Sequence, residues 1–252
     1  MDVRFRERIR ARERLLGTLV SLDAPEIAEL MRIVGFDWLF LDGEHTPLEA
    51  PSLQRLLQAA GPDLPCLIRV PAAAEAPVKK ALDIGAAGVI VPMVNTAEDA
   101  EHVVRLARYA PRGTRGVGLG RAHGYGLRFR DYLEKANEGV SVVIQAEHAL
   151  AVEQMEAIVR VDGVDAVLVG PFDLSASLGR PGEVEHPEVV AAIERITTVC
   201  RGAGMPLGIF GTDARAVRPY MERGYTLIVA GVDTMLLGDA ARRLLEELRS
   251  PA

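Results

Sequence analysis

The sequence predicts a (β/α)₈ TIM barrel, a single domain spanning residues 1–252. Three observations carry that expectation. A short apolar run, a polar or glycine-containing elbow and a helical pattern recur about eight times along the chain. No linker, low-complexity tract or charge block divides the 252 residues, a length that accommodates eight such units. The first apolar run leads into Ser21-Leu22-Asp23-Ala24-Pro25, without the glycine fingerprint that opens a doubly wound nucleotide-binding sheet.

Taken in order, Leu16–Ser21 reads as a strand and passes through that elbow into a helix near 25–34. Trp38–Asp42 is the second strand; Asp42-Gly43-Glu44-His45 turns it into a helix near 48–59, with Thr46 placed to cap a helix opening near Pro47. Pro65–Val70 precedes a helix near 76–84, and Gly88–Val94 one near 97–108. Between Tyr109 and Gly139 the chain inserts a Gly/Arg-rich loop, Arg115 to Gly126, and a short helix over Phe129–Asn137. A connection of that length inside a compact domain is usually functional. Val140–Glu147 then leads to a helix near 150–160. Ala166–Asp173 runs into a tight turn at Gly170-Pro171-Phe172-Asp173-Leu174-Ser175 and a short helix ending by Gly179, ahead of a helix near 187–202. Pro206–Gly211 with 213–222, and Thr226–Gly231 with 236–248, complete the pattern. Leucines at 236, 237, 244, 245 and 248 give the last helix an apolar stripe that suits packing on the barrel or on a neighbouring subunit.

Composition narrows the partners. With 29 basic and 35 acidic residues the net charge is −6, which offers no footprint for nucleic acid or an anionic membrane and leaves small molecules. The N-terminus lacks the apolar stretch of a secretion signal and no run approaches the ~18 apolar residues of a membrane span, so a cytoplasmic location is expected. Cys66 and Cys200 cannot build a tetrahedral zinc site alone, are too few for a disulfide framework, and read as packing residues. Only three lysines occur, Lys79, Lys80 and Lys135, all in helical segments, so a Schiff-base mechanism finds no candidate at a strand end.

A barrel presents its reactive groups at the C-terminal ends of its strands. The second strand delivers Asp42-Gly43-Glu44-His45, the third Arg69, the fifth Gln145-Ala146-Glu147-His148 and the sixth Gly170 through Ser175. Alternation puts Arg69 on the face of Leu67, and Gln145 and Glu147 on the face of Val143. If those faces point inward, the charges they carry need partners or a metal. Glu147 and Asp173 are hard oxygen ligands of the kind Mg²⁺ or Mn²⁺ prefers, or each pairs with an arginine in a structural network. His45 beside Asp42 reads either as an acid/base pair or as part of a polar strand-to-helix turn. Glu44 and His148 alternate away from their neighbours and are expected to face outward or into loops. Backbone N–H groups at the start of the short helix in the Gly170–Ser175 segment offer a cradle for a carboxylate or phosphate.

With these strand ends in hand, the chain resembles the HpcH/HpaI family of class II, metal-dependent pyruvate aldolases along nearly its whole length. The resemblance rests on Gly35-Phe36-Asp37-Trp38 leading to Leu41-Asp42-Gly43-Glu44-His45, and on Ile68-Arg69-Val70-Pro71, Val91-Pro92-Met93-Val94 and Arg115-Gly116-Val117-Gly118. It continues through Gln145-Ala146-Glu147, Gly163-Val164-Asp165, Gly170-Pro171-Phe172-Asp173-Leu174-Ser175 and Gly231-Val232-Asp233. The resemblance implies a divalent ion, Mg²⁺, Mn²⁺ or Co²⁺, on Glu147 and Asp173, and enolate stabilisation and substrate binding by Arg69. It further implies proton transfer by His45 supported by Asp42, a polar contact from Gln145, substrate contacts along Gly170, Pro171, Phe172 and Asp173, and an Asp83 that reaches a neighbouring subunit's site. A homohexamer, a trimer of dimers with exchanged C-terminal helices, is implied as well. Phe172 stands where many members carry a smaller residue, so the aldehyde partner is expected to differ, under the influence of Leu19, Phe172, Phe210 and the Gly118–Gly126 segment.

The implied reaction is reversible cleavage of a 4-hydroxy-2-oxo acid to pyruvate and an aldehyde through a metal-stabilised enolate. Two alternatives share the residues. One is an oxaloacetate decarboxylase or acyl-thioester lyase using the same enolate; the other is a non-catalytic barrel that binds oxo acids.

Overall fold

The computed structural model describes residues 4–250. Eight parallel strands close in sequence order into one barrel: β1 (Leu15–Val20), β2 (Trp38–Asp42), β3 (Cys66–Arg69), β4 (Gly88–Val91), β5 (Ser141–Ala146), β6 (Ala166–Val169), β7 (Leu207–Gly211) and β8 (Leu227–Val232). The helices are α1 (Arg4–Arg10), α2 (Pro25–Val34), α3 (Ala50–Ala60), α4 (Glu75–Asp83), α5 (Ala97–Ala107), α6 (Phe129–Gly139), α7 (Ala149–Ile158), α8 (Pro171–Ser177), α9 (Pro187–Ala203), α10 (Ala214–Glu222) and α11 (Asp233–Arg249). No helix among the described residues is long and apolar enough to cross a membrane.

Two strands end three or more residues before the sequence pattern suggests. β4 stops at Val91 rather than 94, and β6 at Val169 rather than 173, because Pro92 and Pro171 cannot donate to a ladder. Pro171 instead opens α8 at a position where a missing N–H costs nothing.

Alternation along each strand sorts the core into two layers. Leu15, Leu19, Trp38, Phe40, Leu67, Ile90, Val143, Leu168 and Val229 fill the barrel interior. Leu39, Leu41, Ile68, Val89, Val91, Val142, Ile144 and Val167 face outward into the helices. Gly17 makes room for the largest interior residue: a Cβ there would stand 2.5 Å from the Trp38 indole.

The N-terminal helix α1 is absent from the pattern of strand–helix units, and it plugs the barrel floor. Phe5 and Ile9, one turn apart, join the interior cluster against Trp38. Arg6 secures the plug, donating from Nε to both oxygens of the buried Asp165 at 2.8 and 2.9 Å and from Nη1 to the carbonyls of Asn137 and Glu138. Arg108 stands 3.6 Å and Arg10 3.9 Å from the same carboxylate, which also accepts the backbone N–H of Val142. With the floor sealed, the open end is the C-terminal end of the strands.

Candidate active site

Parallel register places Asp42 directly beside Arg69 on neighbouring strands, both pointing inward. Their side chains meet in a two-pronged bond: Arg69 Nε donates to Asp42 Oδ1 and Nη2 to Oδ2, each at 2.9 Å. The guanidinium also lies over the Phe40 ring, 5.1 Å from its centroid. Burial alone would push the Asp42 carboxyl up, yet the Arg69 hydrogen bonds and charge, with the backbone N–H groups of Glu44 and His45, hold it below the usual range. Burial likewise favours a neutral Arg69, and Asp42, Glu44 and Glu147 outweigh it, so the cation is secure.

Beyond Asp42 the strand ends and its alternation ends with it. The N–H of Glu44 turns back onto Asp42 Oδ1 at 3.0 Å, and Thr46 donates its hydroxyl to the Asp42 carbonyl. Gly43 permits that turn, since a Cβ there would press on the Arg69 carbonyl at 2.8 Å. Two expectations change as a result. Glu44, expected to face away, swings in and brings Oε2 to 3.2 Å from Arg69 Nε. The His45 imidazole, expected beside Asp42, has Glu44 Oε2 at 3.6 Å from its Nε2, and meets Asp42 only through its backbone N–H. Both oxygens of Asp42 are already taken by Arg69.

On the opposite side of the mouth, Gln145 at the end of β5 donates from Nε2 to Glu147 Oε2, and the N–H of Met93 donates to Glu147 Oε1 at 2.8 Å. Met93 adopts a left-handed conformation, φ 55°, rare for a residue with a side chain, and it thereby aims its N–H at the carboxylate. Sequence patterns missed this contact because any residue's backbone can make it. Gly170 is required by proximity: a Cβ would fall 3.0 Å from Glu147 Oε2 and 3.2 Å from Gln145 Nε2. Burial is the main reason the Glu147 carboxyl rises to about 7; the Met93 N–H opposes that and the Asp173 charge adds to it.

A cavity of about 170 Å³ opens between these groups, lined on its polar side by His45, Arg69, Gln145 and Asp173 and on its apolar side by Leu19, Phe172 and Phe210. Gly170 and Pro171 form part of its wall. No lysine lines it; Lys79 pairs with Glu75 on α4. His148 faces away as expected and caps α7 through Nδ1.

The HpcH/HpaI aldolase/citrate lyase family model matches residues 16–240, a span that holds all of these residues. The chain belongs to that family. It is 41% identical over 248 residues to the hydroxypyruvate/pyruvate aldolase of Cupriavidus necator, covering 97% of this chain and 92% of that one. To the 4-hydroxy-2-oxo-heptane-1,7-dioate aldolase of Shigella sonnei it is 39% identical over 247 residues, covering 97% and 94%. The crystal structure of an HpcH/HpaI family protein from Burkholderia cenocepacia superposes with a TM-score of 0.94 at 41% identity, over 99% of this chain and all of that one.

The divalent ion implied by this family can be tested against the residues present. Glu147 is a buried carboxylate without an arginine of its own, and the buried Oε1 of Gln145 finds no hydrogen-bond partner among the described residues. No group of three or more His, Cys, Asp or Glu side chains among the described residues forms a complete cage. Two protein carboxylates with the remaining positions left to water and substrate are what a hard, six-coordinate ion accepts at a reaction centre. Glu147 and Asp173 fit that role.

The inserted segment lies elsewhere than expected. It joins α5 to β5, and a connection that follows a helix returns to the N-terminal ends of the strands, so Gly118–Gly126 packs at the floor end of its own barrel. Arg121 donates to the carbonyls of Ile84 and Leu57, and Gly120 lies so close to Asp83 that a Cβ would approach its carbonyl to 2.6 Å. This segment cannot shape the mouth of its own subunit. Asp83 sits there too, bonded by the buried Arg115 at 2.7 Å.

Proposed function

We propose that the chain is a divalent-metal-dependent aldolase that reversibly cleaves 4-hydroxy-2-oxo acids to pyruvate and an aldehyde. The observation that carries this reading is one cavity edged by a secured arginine, an accessible imidazole and the Asp173 carboxylate, with the buried Glu147 carboxylate close enough to feel the Asp173 charge. The relatives named as hydroxypyruvate/pyruvate and heptanedioate aldolases support it.

In the cleavage direction the His45 imidazole accepts the proton of the substrate's C4 hydroxyl. The C3–C4 bond then breaks, leaving an aldehyde and the enolate of pyruvate, which takes a proton at C3. Asp42 occupies Nε and Nη2 of Arg69, which leaves Nη1 for a substrate oxygen whose negative charge grows as the bond breaks. A divalent ion held by Glu147 and Asp173 would supply Lewis acidity toward that same charge. Leu19, Phe172 and Phe210 receive the aldehyde end and exclude water from it.

The test is pyruvate release from a panel of 4-hydroxy-2-oxo acids with varied tails, before and after chelation. Activity that vanishes with chelator and returns with Mg²⁺, Mn²⁺ or Co²⁺ is expected. Full turnover by metal-free protein, or release from oxaloacetate alone, would overturn this reading.

We also infer a homohexamer built as a trimer of dimers with exchanged C-terminal helices. Of the seventeen residues of α11 only Asp233 is buried, and Leu237 and Leu248 are 62% and 75% exposed. Asp83, at the floor, could reach a mouth only in another copy. Light scattering on the eluting protein should return six chains, and Leu237→Asp with Leu244→Asp should lower that number. A monomer at micromolar concentration would rule the assembly out.

A further inference from the structure

The mouth of the barrel is divided by chemistry, and the division follows the strand order. Strands β2, β3, β5 and β6 carry or lead into Asp42, Glu44, Arg69, Glu147 and Asp173. The arc β7, β8 and β1, contiguous in the closed barrel, turns Phe210, Val232 and Leu19 inward instead. Leu19 and Phe210 line the cavity, and Phe172, on the first turn of α8, lines it with 46% of its surface exposed. The carboxylate that follows β8, Asp233, is buried and taken up by the N–H and hydroxyl of Ser21 and the N–H of Leu22. Arg215, on the first turn of α10 beyond β7, lines a separate surface groove with Arg218 and Glu222.

We propose that the aldehyde this chain releases and accepts is electrically neutral with an apolar tail, and that Phe172 and Phe210 select against a tail ending in a second carboxylate. The inference rests on the aldolase reading for the reaction and on the distribution of charge for the selection. Arg69 is the one arginine or lysine among the described residues lining the cavity. Asp42 holds its Nε and Nη2 at 2.9 Å and Glu44 stands 3.2 Å from Nε, so only Nη1 is left, at the reacting end. A divalent ion on Glu147 and Asp173 would balance those two acids and no more. A tail carboxylate would therefore meet carbon on one side and acids on the other, and lose its water without gaining a partner. An alkyl tail of the same shape gives up no hydrogen bond, and it covers the half-exposed Phe172 ring as it binds.

Two probes that cannot be cleaved test the selection: 2-oxoglutarate, and the 2-oxo acid in which an isopropyl group replaces its terminal carboxylate. Calorimetry on the full chain with Mg²⁺ present should show the isopropyl compound binding about tenfold or more tightly. In pyruvate release, 4-hydroxy-2-oxo acids that differ in the same way should differ by about 10²-fold in kcat/KM, again in favour of the neutral tail. Phe172→Arg sets a cation at a half-exposed position and should reverse the order in both measurements, whereas Phe172→Leu should keep it. Equal or tighter binding of 2-oxoglutarate by the wild type would overturn the proposal. So would a Phe172→Arg variant that is folded by circular dichroism and keeps the wild-type order. Pyruvate release that ignores the tail sinks the selection and leaves the aldolase standing. If neither probe binds and no tail yields pyruvate, the aldolase reading falls and takes the selection with it.

Discussion

Arg69→Ala is expected to reduce pyruvate formation by about 10²–10³-fold, the usual consequence of removing a preorganised partner of a developing oxyanion. The loss should fall on kcat as well as kcat/KM, because the charge on the substrate oxygen is larger in the transition state than in the ground state. The same substitution is expected to weaken the fold. Arg69 is the cation for a carboxylate that is 3% exposed, and deleting one member of a buried pair typically costs about 3–5 kcal/mol. Asp42 would keep its backbone N–H partners, and burial, no longer opposed by the guanidinium, would push its carboxyl up. Arg69→Lys retains the charge but cannot span both oxygens at once, so it should recover part of the stability and less of the activity. Urea denaturation and steady-state kinetics on the two variants separate these effects. Wild-type turnover by Arg69→Ala would remove the residue from the mechanism.

Glu147→Gln is expected to abolish binding of Mn²⁺ in calorimetry and, with it, activity, while leaving the metal-free protein folded. The direction of its effect on stability follows from protons. In the folded chain the carboxyl is raised from the usual 4.5 to about 7. Between those values the folded state holds a proton that the unfolded state has released, so metal-free stability declines as pH rises through the interval and levels off above it. Glu147→Gln escapes that decline. It should match the wild type near pH 4.5 and be the more stable of the two, without metal, above pH 7. In the wild type the ion must displace that proton, so apparent Mn²⁺ affinity should fall as the pH drops below about 7. Calorimetry in buffers of different ionisation enthalpy would show proton release on binding at pH 6; an affinity indifferent to pH would contradict the assignment.

The barrel was legible because period-2 apolar runs alternating with helical stretches have few other ways to bury themselves. Arg69, Gln145 and Glu147 were legible because strand alternation fixes which way a side chain near a strand end faces. Glu44 was misjudged where that rule lapses: one residue beyond β2 the backbone folds onto Asp42 Oδ1 and the alternation is lost. That the His45 imidazole does not meet the Asp42 carboxylate depended on knowing that Asp42 was already bound by Arg69, a fact set by the register of β2 against β3. Met93 gave no side-chain signal. For α1 a signal did exist, Phe5 and Ile9 spaced one helical turn apart, obscured by the arginines around them. The insertion was misplaced for want of one topological step, that a connection leaving a helix returns to the floor.

The pairing of Asp42 with Arg69 also bears on how the barrel assembles. A parallel strand displaced by one residue turns every side chain to the other face. Were β3 to dock on β2 one position out of step, Arg69 would point into the helical layer and Ile68 toward the mouth, and Asp42 would be shut away with no cation opposite it. The two-pronged bond forms in one alignment of the strands, so the pair that edges the candidate site also favours the correct register.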